Sequence, residues 1–329
     1  MTFLYIVITL VLIFDFINGF HDSANSIATV VSTKVLSPLA AVGMAAFFNF
    51  IAFLVFPLNV AHTMGSKVIN PDIVNLTVIA SALTAAIMWN LLTWWFGLPS
   101  SSSHTLTGGL IGAAVASAGW GSVILSGVLK IVIFIVIAPL LGMLMSFFIS
   151  ALVIFLVRKK SPSGVDKHFR RLQLLSAAAF SLGHGGNDAQ KSMGIIWVAL
   201  IATGHATKDS EIALWIVLSC HAAIALGTLS GGWRIVKTMG QKITKLKPFE
   251  GFCAETAGAL TLYGATHFGI PVSTTHVITG AIMGAGARKG VSAVKWGVTT
   301  KIFWAWILTI PVSALVSYLV FILLNSILS

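Results

Sequence analysis

The chain has 329 residues, of which 57% are hydrophobic and only 9% are charged. In soluble domains about a quarter of the residues are charged, so this composition excludes a soluble domain. A net charge of +11 would suit a nucleic-acid partner if it covered one face, but the basic residues are concentrated in a few loops. We therefore expect a lipid bilayer, and no nucleic acid, around this protein.

Apolar segments recur along the whole chain, each about as long as the 20 residues that cross a hydrocarbon core. They predict an all-α polytopic membrane protein. The first segment, Phe3 to Phe14, has neither a basic start nor a small-residue cleavage site. We therefore expect a retained helix there and not a signal peptide.

Four landmarks occur in the same order in both halves of the chain, at offsets between 166 and 175 residues. Such regularity indicates a tandem duplication. We predict a first membrane repeat at 1–157, a basic linker at 158–171 and a second membrane repeat at 172–329. The landmarks are an Asp motif (Asp22, Asp188), a Met-Gly-x-Lys motif (64–67, 239–242), a Pro-Ser/Thr-His segment (99–104, 271–276) and a Thr-Gly pair (107–108, 279–280).

Charge in equivalent loops predicts that the two repeats have inverted topology. The loop at 60–72 carries only Lys67 and Asp72, whereas its counterpart in the second half carries five basic residues. If each repeat crosses five times, with the Pro-Ser/Thr-His segment counted within one crossing, the basic loops lie in the cytoplasm. Both termini then lie outside, and the protein is a multi-pass protein of the cell membrane.

Four acids lie within apolar segments, where an ionised group is costly unless it faces a cavity, an ion or a partner. Asp22 and Asp188 are the main candidates, because both repeats have the acid beside Gly, Asn, Gln or Ser residues. Asp15 has Ser181 as its counterpart, and Glu255 has no acidic counterpart near residue 83. For these two, an acid that reaches the interface from a helix end remains an alternative.

Glycines beside the Asp motifs predict broken helices. Asn18 and Gly19 in the first half, and Gly183, Gly185 and Gly186 in the second, are poor helix residues. We expect the helices to break there and to expose backbone groups that a solute can satisfy. Half-helix N-termini attract anions, and half-helix C-termini attract cations.

The Pro-Ser/Thr-His segments predict hairpins and an anion site. Pro99 and Pro271 interrupt a helix, and the residues after them, Ser100 to Ser103 and Ser273 to Thr275, supply hydroxyls at a new helix N-terminus. These donors suit a tetrahedral oxyanion, but the two aspartates would repel a fully deprotonated one. The sequence therefore favours a protonated oxyanion such as hydrogen phosphate, or an oxyanion bound with cations, over sulfate.

Other polar residues have two interpretations each. Lys191 stands where the first repeat has Asn25, and it either pairs with Asp188 or contacts the substrate. His104 and His276 either carry protons or hold the segment in place by a neutral hydrogen bond. The candidates for binding a coupling ion are Asp22, Asp188, Glu255, His104 and His276.

The motifs resemble those of the inorganic phosphate transporter (Pit) family over nearly the full length. His21 and Lys191 stand where many members have Asn, and this variant is similar to the bacterial low-affinity branch. The stretches that carry the resemblance are 18–29 and 181–192 for the paired signatures and 98–104 and 270–276 for the hairpin tips.

The resemblance implies a secondary active transporter, a symporter of inorganic phosphate, that often forms a homodimer. It implies coupling to protons or sodium, and in this branch cotransport of a divalent cation as a metal-phosphate complex. Neither enzymatic activity, nor a resident cofactor, nor a fixed metal site is expected. The site residues that it implies at the repeat interface are Asp22, Asn25, Ser101, Ser102, Ser103, Asn187, Asp188, Ser273, Thr274 and Thr275.

Two other functions are compatible with these motifs. An intramembrane hydrolase would use Ser103, His104 and an acid. However, one nucleophile does not need a duplicated constellation, and the sequence has no Gly-x-Ser-x-Gly elbow. An anion channel is the other alternative, because broken helices also build pores.

Overall fold

Helices joined by short connections make up the first half. The computed structural model describes residues 1–66, 68–70, 73–207 and 209–328. Lys67 and Asp72, on which the charge comparison drew, lie outside the described residues. The helices are α1 (Thr2–Ser32), α2 (Pro38–Ile51), α3 (Asn59–Ser66), α4 (Leu76–Trp95), α5 (Ser102–Ala118) and α6 (Leu125–Val157).

The second half repeats this order of elements. It has a long first helix, a shorter pair, a hairpin of two helices and a last helix of 33 residues, the same length as α6. The helices are α7 (Pro162–Ala202), α8 (Leu214–Ser230), α9 (Trp233–Lys237), α10 (Pro248–His267), α11 (Thr274–Ala287) and α12 (Trp296–Leu328).

Packing between the halves is reciprocal. Helix α1 packs on α8 as α7 packs on α2, and α6 packs on α11 as α12 packs on α5. Within each half, the first helix also packs on the first arm of its own hairpin, α4 or α10. The two halves are therefore built alike and interlock, whereas their orientation in a bilayer stays a prediction.

Length and hydropathy identify membrane spans. Within the described residues, α1, α4, α6 and α12 are long and apolar enough to cross a membrane. The stretches Leu214–Ser230 and Trp233–Lys242, bent by 61° relative to each other, are a fifth when the pair is counted as one span. Large apolar side chains such as Leu144, Phe148 and Leu319 are exposed on α6 and α12. Such surfaces suit lipid contact, and the predicted helical membrane fold is confirmed.

The predicted breaks at the glycines are wrong. Helices α1 and α7 run without interruption through both Asp motifs. A Cβ at Gly19 would overlap the backbone of Ile224, and one at Gly185 would overlap the backbone of Asn49. Both glycines therefore allow a helix of the other half to approach closely, which the sequence pattern cannot distinguish from a break.

The predicted breaks at the prolines are confirmed. Six residues separate α4 from α5 and six separate α10 from α11. Gly97 and Gly269 begin the turns with φ of +64° and +65°, a backbone conformation that favours glycine. The arms of the first hairpin are antiparallel, because Thr105 contacts Asn90 near the turn while Gly109 lies against Ala82 farther along.

Candidate functional site

The two Asp motifs meet, although 166 residues separate them in the sequence. Asp22 lies on α1 and Asp188 on α7, and a carboxylate oxygen of each lies within 4.8 Å of the other. The two residues are buried, with 2% and 1% of their surface exposed. Two buried carboxylates this close repel each other, so protons or positive charge must balance them.

Hydroxyls from the first turns of α5 and α11 surround these carboxylates. Ser102 Oγ donates to Asp22 Oδ2 at 3.4 Å, and Thr275 Oγ1 donates to Asp22 Oδ1 at 3.3 Å. Thr274 Oγ1 donates to Asp188 Oδ2 at 3.1 Å. Both aspartates and both helix N-termini, which favour anions, therefore share one site.

Two of the predicted hydroxyls cap their own helices. Ser101 Oγ accepts from the backbone N–H of His104 at 3.3 Å, and Ser273 Oγ accepts from that of His276 at 3.2 Å. These N-caps fix the first turns of α5 and α11, because they satisfy one of the free N–H groups at each start. The remaining hydroxyls of both segments can then face the aspartates.

The two predicted asparagines lie in different surroundings. Asn25 Nδ2 donates to Thr274 Oγ1 at 3.3 Å and to Thr275 Oγ1 at 2.9 Å, so Asn25 joins α1 to the site. Asn187 Nδ2 donates to Thr266 Oγ1 at 3.0 Å and to the Ile270 carbonyl at 3.4 Å, which braces the second hairpin. Among the described residues, the Oδ1 atoms of both asparagines have no donor.

Lys191 supplies a positive charge at the site. Its Nζ donates to Asp188 Oδ1, to Ser103 Oγ at 2.5 Å and to the backbone carbonyl of Val272 at 3.0 Å. The predicted pairing with Asp188 is thus present, and Lys191 also ties α7 to both hydroxyl segments.

His184 also lies at the candidate site, although it is not among the residues that the sequence predicts to bind substrate. Thr228 Oγ1 donates to the Ile224 carbonyl, so it accepts from Asn49 Nδ2 at 2.9 Å. Asn49 Oδ1 therefore faces His184 Nδ1, at 3.1 Å, and this ring nitrogen carries the proton. His184 Nε2 lies 3.2 Å from Asp188 Oδ2.

Spacing could have identified His184, because it precedes Asp188 by four residues and so lies on the same helix face. It also lies within 4.8 Å of the nearest carboxylate oxygens of both aspartates. His21 is adjacent to Asp22 in sequence, and its Nδ1 lies 2.7 Å from Asp22 Oδ1. Each aspartate thus has one histidine beside it, supplied by its own helix.

The other two candidate histidines meet each other behind the hydroxyl segments. The ring centroids of His104 and His276 are 4.7 Å apart, and His276 stacks on Trp306 at 3.9 Å. Both histidines are buried. Their contact joins the first turn of α5 to the first turn of α11.

Glu255 and Asp15 lie apart from the carboxylate pair. Glu255 accepts from Gln173 Nε2 at 3.0 Å and from Ser176 Oγ at 2.5 Å, in a separate buried cluster between α7 and α10. Asp15 accepts from Ser192 Oγ at 2.7 Å, next to Lys191 in the chain. Neither acid hydrogen-bonds to a predicted substrate residue in the described part of the chain.

Known proteins share the sequence and fold. The Phosphate transporter family matches at residues 18–164 and again at 156–317. A probable low-affinity inorganic phosphate transporter of Rhizobium meliloti is 56% identical over 95% of this chain and 93% of its own. The one of Bacillus subtilis is 42% identical over 98% and 97%.

A solved structure gives the same result for the fold. It is a sodium-dependent phosphate transporter, with a TM-score of 0.88 and 28% identity, and the match covers 99% of this chain and 100% of that one. Transport, and not catalysis, is what these relatives have in common. With a family match in each half and the site residues at the interface of the halves, this chain belongs to the phosphate transporter family.

Proposed function

We propose that this chain is a secondary active symporter that carries inorganic phosphate across the cell membrane. The observation that carries the proposal is the meeting of Asp22 and Asp188 with two hydroxyl-bearing helix N-termini in one buried site. The N–H and hydroxyl groups donate to phosphate oxygens, and a carboxylate accepts from the O–H group of hydrogen phosphate. Sulfate has no proton for that contact at neutral pH.

Protons or sodium drive the uptake in this proposal. Lys191 balances one of the two carboxylates, and an ion that enters with phosphate supplies the further positive charge that binding of the anion needs. The groups that can take the ion are Asp22 and Asp188, with His104, His276 and Glu255 as further sites of protonation. The similar solved structure is that of a sodium-dependent phosphate transporter, so sodium is the first ion to test.

A divalent cation carried with phosphate is a second form of the substrate. Asp22, His184 and Asp188 each offer a potential ligand atom within 4.8 Å of the others, and carboxylate oxygens suit such a cation. The cation enters and leaves as cargo. Asp22 and Asp188 would hold it, and its charge would offset the repulsion between the two carboxylates and the anion.

The repeats are inverted in this proposal, with the basic loops in the cytoplasm and both termini outside. Inversion allows the two hydroxyl segments to reach the site from opposite sides, and alternating access follows from movement of one half against the other. Side-specific labelling of single cysteines placed in the loop at 288–290 and at the N-terminus tests it. Labelling of both from the same side would contradict the proposal.

Uptake of labelled phosphate into proteoliposomes, with sodium, pH and magnesium varied independently, tests the function. We expect saturable uptake and counterflow exchange, which a channel with linear conductance does not give. The double variant Asp22→Asn/Asp188→Asn should lose uptake, whereas Asp166→Asn, at the exposed start of α7, should retain it. Full uptake by the double variant would contradict the proposal.

A further inference from the structure

Lys191 makes the two halves of the site differ in charge. Its counterpart in the first half is Asn25, which is neutral. Both residues lie three positions after their aspartate, on the same face of equivalent helices. The place that each side chain occupies can therefore be compared directly.

In the second half, this place is a small cage of oxygen atoms. The three N–H groups of the Lys191 ammonium face a carboxylate oxygen of Asp188, the hydroxyl of Ser103 and the carbonyl of Val272. These ligands come from α7, from α5 and from the loop before α11. Carboxylate, hydroxyl and carbonyl oxygens are also the ligands that hard metal cations prefer.

In the first half, the equivalent place has a carboxylate and a hydroxyl oxygen, and among the described residues no lysine lies there. Thr275, the counterpart of Ser103, donates to Asp22 and accepts from Asn25 Nδ2. Asn25 Oδ1 is buried and has no donor among the described residues. An unpaired buried acceptor beside a carboxylate is a place that a cation from solution satisfies.

We propose that Lys191 is a built-in cation, which takes the position that a coupling cation from solution takes beside Asp22 in the first half. This inference rests on the proposed function, because it says which group supplies one of the positive charges at the proposed phosphate site. The tethered ammonium neutralises Asp188 in every transport cycle, so the second half needs no sodium ion. Replacing Lys191 by the Asn of the first half creates a need for one.

The test compares the wild type with Lys191→Asn and Lys191→Met. Asn is short, leaves the cage open and adds an oxygen ligand, whereas Met fills the volume of Lys and adds none. Phosphate uptake is measured in choline and in sodium. The ratio of uptake in sodium to uptake in choline should be about tenfold larger for Lys191→Asn than for the wild type, which is within the usual range of coupling between two ligands. Lys191→Met should lose uptake with or without sodium.

Sodium-induced thermal stabilisation of the purified proteins gives a readout that needs no transport. Sodium should raise the Tm of Lys191→Asn by more than that of the wild type or of Lys191→Met. Equal sodium effects on all three folded proteins would overturn the inference and leave Lys191 as a structural partner of Asp188. Wild-type phosphate uptake, measured in parallel, tests the proposed function separately.

The reciprocal variant Asn25→Lys covers the case in which Lys191→Asn does not fold. It places a second ammonium beside Asp22, so the stabilisation of the protein by sodium should fall below that of the wild type. An unchanged response of Asn25→Lys to sodium would also overturn the inference.

Discussion

The two halves are alike in packing and different in charge. Gly19 and Gly185 occupy equivalent positions, and each lies against the backbone of a helix from the other half. Asp22 and Asp188 are equivalent as well, but in the described part of the chain a lysine contacts Asp188 and none contacts Asp22. Duplication thus explains the shape of the site, whereas its electrostatics must be taken from each half separately.

The largest expected effect is a difference in stability between the variants Asp188→Asn and Asp22→Asn. Asp188→Asn leaves the buried Lys191 ammonium without its carboxylate, and we expect a loss of about 3–5 kcal/mol in the free energy of unfolding. Asp22→Asn leaves no lysine unpaired and should cost less. Thermal denaturation of both purified variants measures the difference.

A double variant is the control for that comparison. Asp188→Asn/Lys191→Met removes both charges, so most of the stability should return while phosphate uptake stays absent. Equal stability of the two single variants would show that the halves do not differ in the way described.

The next largest effect is the loss of stability on replacing the closely packed glycines, and it should be similar in the two halves. Gly19→Ala and Gly185→Ala each push a Cβ into a neighbouring backbone, with an expected loss of about 1–3 kcal/mol in stability. Gly43→Ala is a matched control on α2, because a Cβ there meets nothing within 4 Å. It should be neutral or stabilising by thermal denaturation, and stabilisation by Gly19→Ala would contradict the close approach.

The smallest effect concerns the bonds that hold the two hairpin turns. Arg234 Nη1 donates to the Trp95 carbonyl at 2.6 Å and lies over the Trp94 and Trp95 rings, whereas Asn59 Nδ2 donates to the equivalent His267 carbonyl at 2.9 Å. We expect losses of about 1–2 kcal/mol for Arg234→Ala and about 0.5–1 kcal/mol for Asn59→Ala. The reverse order in thermal denaturation would contradict this ranking.

Much of the architecture follows from local sequence. The apolar spans and the breaks at Pro99 and Pro271 can be predicted because hydropathy and proline act within a few residues. The duplication is visible as motifs that recur in the same order. The continuity of α1 and α7 is not visible in this way. A glycine in an apolar helix signals either a break or a close neighbour, and the neighbour of Gly19 is more than 200 residues away in α8.

The candidate site also has one part that the sequence predicts and another that only the structure shows. Hydroxyls after a proline and an acid in each repeat indicate an anion site from the sequence alone. The capping role of Ser101 and Ser273, and the contacts of Lys191 with Ser103 and Val272, depend on where the chain turns in three dimensions. The role of Asn49 in fixing the tautomer of His184 likewise needs two helices from different halves.

In the proposed function, both halves build one phosphate site. Equilibrium binding of radiolabelled phosphate to the purified protein measures whether they do, with Ser102→Ala/Ser103→Ala for the first half and Thr274→Val/Thr275→Val for the second. We predict one phosphate per wild-type chain and loss of binding in both double variants. Two phosphates per chain, or half of the binding sites left intact in each double variant, would contradict a shared site.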